Sequence, residues 1–188
     1  LSAPVDATKT PVAAVKGKKP DLQTLVFHFT DFGLHDNLFF FGNNTAAGLS
    51  FTLRSDELVR GASLKLKLSY SAELLEGESF LDVMLNGQLV KTIELTAFTA
   101  KSLDLDIPLQ SALILGANNL DFRLTGRTAE QCNNELSKDI WVNVDRNSQL
   151  LLSVQRLPVS TDLSRFPEPF FNAGAMNEVV VSMVLPDN

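Results

Sequence analysis

The chain is poor in the residues that most often carry chemistry. It has one cysteine, two histidines, one tryptophan and one tyrosine in 188 residues. With Cys132 alone, no disulfide can form within the chain, and cysteine usage leaves the compartment open. The histidines, His28 and His35, have no second His or Cys nearby at the spacing of a zinc site. No apolar run approaches the roughly 20 residues a membrane helix needs. Leu1 opens directly into a polar segment, without the basic-then-apolar order of a secretory leader. A net charge of −6 supplies no basic stripe for a nucleic-acid surface. Neither a Walker loop nor a Gly-x-Gly-x-x-Gly phosphate loop occurs.

What is present is enough apolar material for a core, at 45% hydrophobic and 20% charged residues. A domain of this length buries roughly 70% of the surface its unfolded chain exposes, so neither a metal nor a disulfide is required for folding. Residues 1–21, with Pro4, Pro11 and Pro20 and no useful periodicity, read as a flexible arm or linker. Residues 22–186 read as one domain, and 187–188 as the start of a linker.

Within the domain the apolar residues recur with period two. Leu64, Leu66, Leu68 and Tyr70 alternate with Ser63, Lys65, Lys67 and Ser69, the mark of a strand with one buried face. Residues 24–30, 38–41, 49–53, 103–107, 120–124, 140–144, 150–154 and 179–185 read as further strands. Phe80–Leu85 and Gln88–Ile93 flank Asn86-Gly87, whose tolerance of positive φ suits a type I′ hairpin. Short helical turns are predicted at Ser55–Val59, with Ser55 as cap, and around Gln110–Leu115. Many short strands at roughly ten-residue spacing predict an all-β, jelly-roll-like two-sheet β-sandwich. A closed barrel has the same alternation and is the second reading.

Few side chains stand out as functional candidates. Asp104 and Asp106 leave the same face of one strand about 7 Å apart, in the range of glycosidase carboxylate pairs. Alternating acids are also what the solvated face of any half-buried strand shows. Arg123 and Arg127 form half of the signature by which PilZ-type domains hold cyclic di-GMP. The other half fails, because Asp162-Leu163-Ser164 is followed by Pro167 where glycine belongs. Trp141 has two readings. It packs under a covering element, or it offers its indole to the apolar face of a sugar ring. No catalytic residue, metal site or cofactor is predicted.

Several stretches, in order, resemble the accessory (B) subunit of bacterial cellulose synthase, a family long labelled cyclic di-GMP-binding. They are Phe51–Val59 (FTLRSDELV), Ala62–Tyr70 (ASLKLKLSY), Ser79–Val90 (SFLDVMLNGQLV) and Gly116–Arg127 (GANNLDFRLTGR). Cys132, Ile140-Trp141, Ser148 and Phe166–Phe171 (FPEPFF) follow. Two stretches depart: Ala72 stands where the family usually has proline, and Cys132-Asn133-Asn134-Glu135 replaces Cys-Glu-Asp-Pro. The resemblance covers about residues 22–186 and implies the first carbohydrate-binding-type domain of a periplasmic protein. It further implies tethering to the inner membrane through parts beyond this chain, with the catalytic synthase subunit, nascent cellulose and neighbouring copies as partners. A non-catalytic role in guiding or shielding β-1,4-glucan is the expectation. Its rivals are a glycan-active enzyme gathering Asp104 and Asp106 with a His or Tyr, and a cyclic di-GMP sensor.

Overall fold

A computed structural model describes residues 22–129 and 139–157. The expected arm, Cys132, Phe166–Phe171 and the strand at 179–185 lie outside the described residues. The described residues form ten strands: β1 (Leu22–His28), β2 (Leu38–Phe41), β3 (Thr45–Thr52), β4 (Glu57–Tyr70), β5 (Phe80–Leu85), β6 (Gln88–Glu94), β7 (Leu103–Leu109), β8 (Ala117–Thr125), β9 (Trp141–Val144) and β10 (Gln149–Arg156). They form two antiparallel sheets, and the all-β sandwich expected from the period-two pattern is what the chain adopts. The four-stranded sheet runs β3-β8-β5-β6. The six-stranded sheet runs β1-β10-β4-β9-β2, with β7 on β4.

β4 organises the larger sheet. One of its edges pairs with β7 over Ala62–Leu68. The other pairs first with β10, up to Lys65, and then with β9, from Leu68. β9 and β10 therefore lie end to end along one edge of β4, and β2 and β1 lie end to end beyond them. At the junction the ladder is interrupted, and Ser148 fills the break. Its fully buried hydroxyl accepts from the Lys67 amide at 3.0 Å, and the Asp145 amide donates to the Lys67 carbonyl at 2.9 Å. Backbone groups at a buried break need such partners, because an unpaired amide away from water is costly.

The core lies between the sheets. Leu64, Leu66, Leu68 and Tyr70 of β4 are all buried, while Lys65 and Lys67 are exposed, as the alternation predicts. Facing them are Leu81, Val83, Leu85, Leu120, Phe122 and Leu124 of the smaller sheet. Phe122 bridges the layers, with Phe29 at 6.3 Å and Phe40 edge-on at 6.5 Å between ring centroids. The Tyr70 hydroxyl reaches the loop after β6, accepting from the Thr96 amide at 3.1 Å.

Local chemistry explains where the strands end. Asn86 and Gly87 both have positive φ, 51° and 78°, so the expected type I′ hairpin forms. The strand predicted over 24–30 stops at His28. The Asp31 carboxylate accepts the His28 amide at 2.8 Å, and Phe29–Phe32 turn into a 3-10 helix that still buries Phe29. The helical turn predicted at Ser55–Val59 does not form. Asp56 takes a bidentate hydrogen bond from Arg54, and β4 begins directly at Glu57. A 3-10 turn does form at Ser111–Leu113, inside the predicted 110–115 segment.

Ser148→Ala should leave the part-buried Lys67 amide without its acceptor. We expect a loss of about 1–3 kcal/mol, read in urea unfolding as a lower midpoint at unchanged slope.

Candidate carbohydrate-facing surface

β2 is four consecutive apolar residues, Leu38-Phe39-Phe40-Phe41, and only one of its faces can meet the core. Phe40 is buried at 3% exposure, so Phe39 and Phe41 must point outward, and they are 45% and 55% exposed. β9 pairs with β2, placing Trp141 across from Phe41 and Asn143 across from Phe39. Val142 and Val144 of β9 face inward, so Trp141 and Asn143 share the outer face with the two phenylalanines. The three rings form a cluster. Phe39 lies 4.5 Å from Phe41 and 5.6 Å from Trp141, nearly parallel to the indole at 16°.

Beside this cluster the surface turns polar. Asn143 Nδ2 donates to Ser69 Oγ at 3.3 Å, and Asn143 Oδ1 is buried without a hydrogen-bond partner among the described residues. Next along the outer face of β4 come Lys67 and Lys65. Exposed rings flanked by amide, hydroxyl and ammonium groups suit a ligand with apolar faces and polar edges.

The other sequence candidates lie elsewhere. Asp104 and Asp106 are exposed on β7, in register with Lys67 and Lys65 of β4. Each carboxylate thus has an ammonium group across the ladder, the arrangement that stabilises an exposed strand pair. His28 Nε2 lies 2.9 Å from Gln149 Nε2 on the neighbouring strand, and the His35 carbonyl accepts from Arg146. Tyr70 is in the core. None of these is joined to the Asp pair by any described contact. Among the described residues, no group of three or more His, Cys, Asp or Glu is arranged to hold a metal.

Arg123 is exposed on the outer face of β8, in register with Asp82. Arg127 lies past the end of that strand, 3.8 Å from the Glu78 carboxylate. Arg123 therefore stands opposite an acid on the smaller sheet, and Arg127 stands beside one just past the end of that sheet's β8.

Sequence alone points to Trp141 and misses Phe39 and Phe41. Four apolar residues in a row carry no period, so nothing in Leu38–Phe41 marks which rings face out. The usable signal was that run's length against a strand with two distinct faces.

Residues 23–156 match the family described as "Cellulose synthase BcsB, first CBM domain". The chain belongs to that family. A relative named "Cyclic di-GMP-binding protein" from Xanthomonas axonopodis pv. citri is 32% identical over 166 residues, spanning 88% of this chain and 21% of the relative. The protein of that name from Escherichia coli K12 is 34% identical over 132 residues, 70% of this chain and 17% of the relative. "Putative cellulose synthase 2" of Komagataeibacter xylinus is 30% identical over 149 residues, 77% of this chain and 10% of the relative. The chain thus spans about a fifth or less of these relatives. The resemblance read from the ordered motifs was to this family, and the BcsB first-domain match agrees with it.

The carboxylates with displaced acidity sit away from the rings, at the start of β4. Hydrogen bonding from Arg54 holds the Asp56 carboxyl below its ordinary value of 3.8, against some opposing desolvation. Burial pushes Glu57 up, aided by the neighbouring Asp56 charge. The depressed Asp56 contributes stability that is present above the ordinary carboxylate value and lost as pH falls through its lowered one. The raised Glu57 acts oppositely, its contribution present at low pH and lost as pH rises through its raised value. Asp56→Asn should therefore be less stable than the parent at pH 7, by up to about 1 kcal/mol, with the difference closing well below pH 3.8. Urea titrations at several pH values read the crossover.

Proposed function

We propose that this domain is a non-catalytic accessory element of a cellulose synthase complex that contacts the emerging β-1,4-glucan through the outer face of its larger sheet. The observation that carries this reading is the exposed cluster of Phe39, Phe41 and Trp141 beside Asn143 and Ser69. The β-glucopyranose ring has equatorial substituents, so both of its faces are apolar C–H surfaces and its rim is polar. An aromatic surface with a polar border is complementary to it. Family membership as a carbohydrate-binding module supports the same assignment.

Weak contact suits a polymer that must slide, since tight binding in one register would hold it. In the whole protein the domain would work in the periplasm. Parts beyond this chain would tether it to the inner membrane beside the catalytic subunit, with neighbouring copies packed alongside. Its role would be to guide or shield the polymer. Nothing in the described residues brings Asp104 and Asp106 together with a His or Tyr, which favours contact over cleavage. Titrating cellohexaose into the chain should give saturable but weak binding, in the high micromolar range or weaker, about −5 kcal/mol or less favourable. No new reducing ends should appear. Release of shorter sugars by the purified chain would overturn the non-catalytic assignment.

The name shared by several relatives supplies a second reading, cyclic di-GMP binding. In this domain Arg123 stands across from Asp82 and Arg127 beside Glu78, so a phosphate would have to displace or sit against a carboxylate. Calorimetry with cyclic di-GMP is expected to give no saturable heat. Micromolar binding lost on Arg123→Ala and Arg127→Ala would restore the nucleotide reading for this domain.

A further inference from the structure

We infer that the ring meeting the sugar is Phe41, and that Trp141 is a positioning residue that holds the cluster in place. This inference rests on the glucan-contact reading and specifies which ring carries it. A sugar's C–H face needs an open aromatic face, and a face already covered by another ring is not available. The indole of Trp141 lies within 16° of parallel to Phe39 at 5.6 Å, so Phe39 covers one of its faces squarely, and Trp141 is only partly exposed; Phe41 is nearer to Phe39, at 4.5 Å, but is tilted to it by 41° and stands further into solvent. Phe39 touches both other rings and is the middle member of the cluster. Phe41 is the most exposed of the three phenylalanines of β2, at 55%.

Phe41 is also anchored at its backbone. It pairs with Trp141 in the ladder, and the next amide, that of Gly42, donates to the Ile140 carbonyl at 2.8 Å. Gly42 has φ of +78°, so the chain turns away at once and leaves the end of β2 uncovered by its own continuation. The preceding residue, Phe40, is locked in the core against Phe122. An exposed ring on a backbone fixed from both sides loses little further freedom on binding, which favours contact energy over ordering cost. Trp141 then acts through Phe39, limiting how far that ring can tilt and so which way Phe41 faces.

The chain has a single tryptophan, so its emission reports on position 141 alone. The experiment compares retardation of the 188-residue chain in native gels containing hydroxyethyl cellulose, together with acrylamide quenching of Trp141 with and without cellohexaose. The variants are Phe41→Ala, Phe41→Leu, Trp141→Ala and Trp141→Phe, each checked by circular dichroism. Phe41→Ala and Phe41→Leu should both weaken binding, by about tenfold. Leucine keeps an apolar side chain without a flat face and protects the test against a misfolded alanine variant. Trp141→Ala should weaken binding about threefold or more, and Trp141→Phe, which can still stack on Phe39, should restore most of it. Quenching of Trp141 should be unchanged by saturating ligand. Strong protection of the indole, or loss in Trp141→Phe equal to that in Phe41→Ala, would reverse the two roles and leave glucan contact standing. Absence of retardation and of any cellohexaose response in the parent chain would remove both this inference and the glucan reading.

Discussion

The arrangement depends on the burial of one side chain, Phe40, on a strand with no polar residue to orient it. Successive residues of a strand face opposite ways, so fixing Phe40 against Phe122 in the core commits Phe39 and Phe41 to solvent. A slip of one residue would bury two phenylalanines and expose one. The slip is resisted on both sides. β9 sets its own register through the buried Val142 and Val144, and the Gly42 amide closes the end of β2 onto Ile140. The surface cluster is therefore a consequence of core packing: the energy that holds it comes from Phe40 and its neighbours, and the exposed rings add little of their own.

The larger sheet has an unusual economy at its centre. A single long strand, β4, carries two shorter strands end to end along one edge. This divides the outer face into two regions. One, over β2 and β9, holds the aromatic cluster. The other, over β1 and β10, carries Val26, His28, Gln149 and Leu151. Ser148 maintains the join between them by supplying the hydrogen bonds that neither short strand can give. Asp104 and Asp106 lie on the opposite edge of β4, matched by lysines in register, so the most suggestive acids in the chain balance charge on a solvated ladder.

Much of this architecture is legible in the sequence where a local rule decides it. The Leu-Lys alternation from Leu64 to Leu68 specifies a one-sided strand, and Asn86-Gly87 specifies its hairpin, because period and turn chemistry are properties of adjacent residues. The misses have different causes. Phe29 continues the alternation of β1 and is buried as expected, yet it sits on a 3-10 helix, because the Asp31 carboxylate caps the edge-facing His28 amide and turns the chain just past the last pair of the ladder. Ser55 resembles a helix cap, but the Arg54–Asp56 pair makes a tight turn and sheet pairing takes the residues that follow. Leu38–Phe41 has no period at all, and its facing is set by Phe122, more than eighty positions away. The partners of Trp141 are likewise about a hundred residues upstream. A tryptophan stands out by its rarity, whereas the rings around it become visible only when distant strands are brought into register.

The pairing of β1 with β10 has a mechanical consequence. Leu22, where the described chain enters, is matched with Gln155, next to where it leaves, and the ladder runs inward from there to His28 and Gln149. Force applied at Leu22 and Gln155 would pull the two strands apart from their shared outer end. Such loading peels a ladder bond by bond, whereas tension along opposed ends would shear all the bonds at once. Force applied at these two neighbouring points of the described sandwich would lift β1 away before it strained the outer surface.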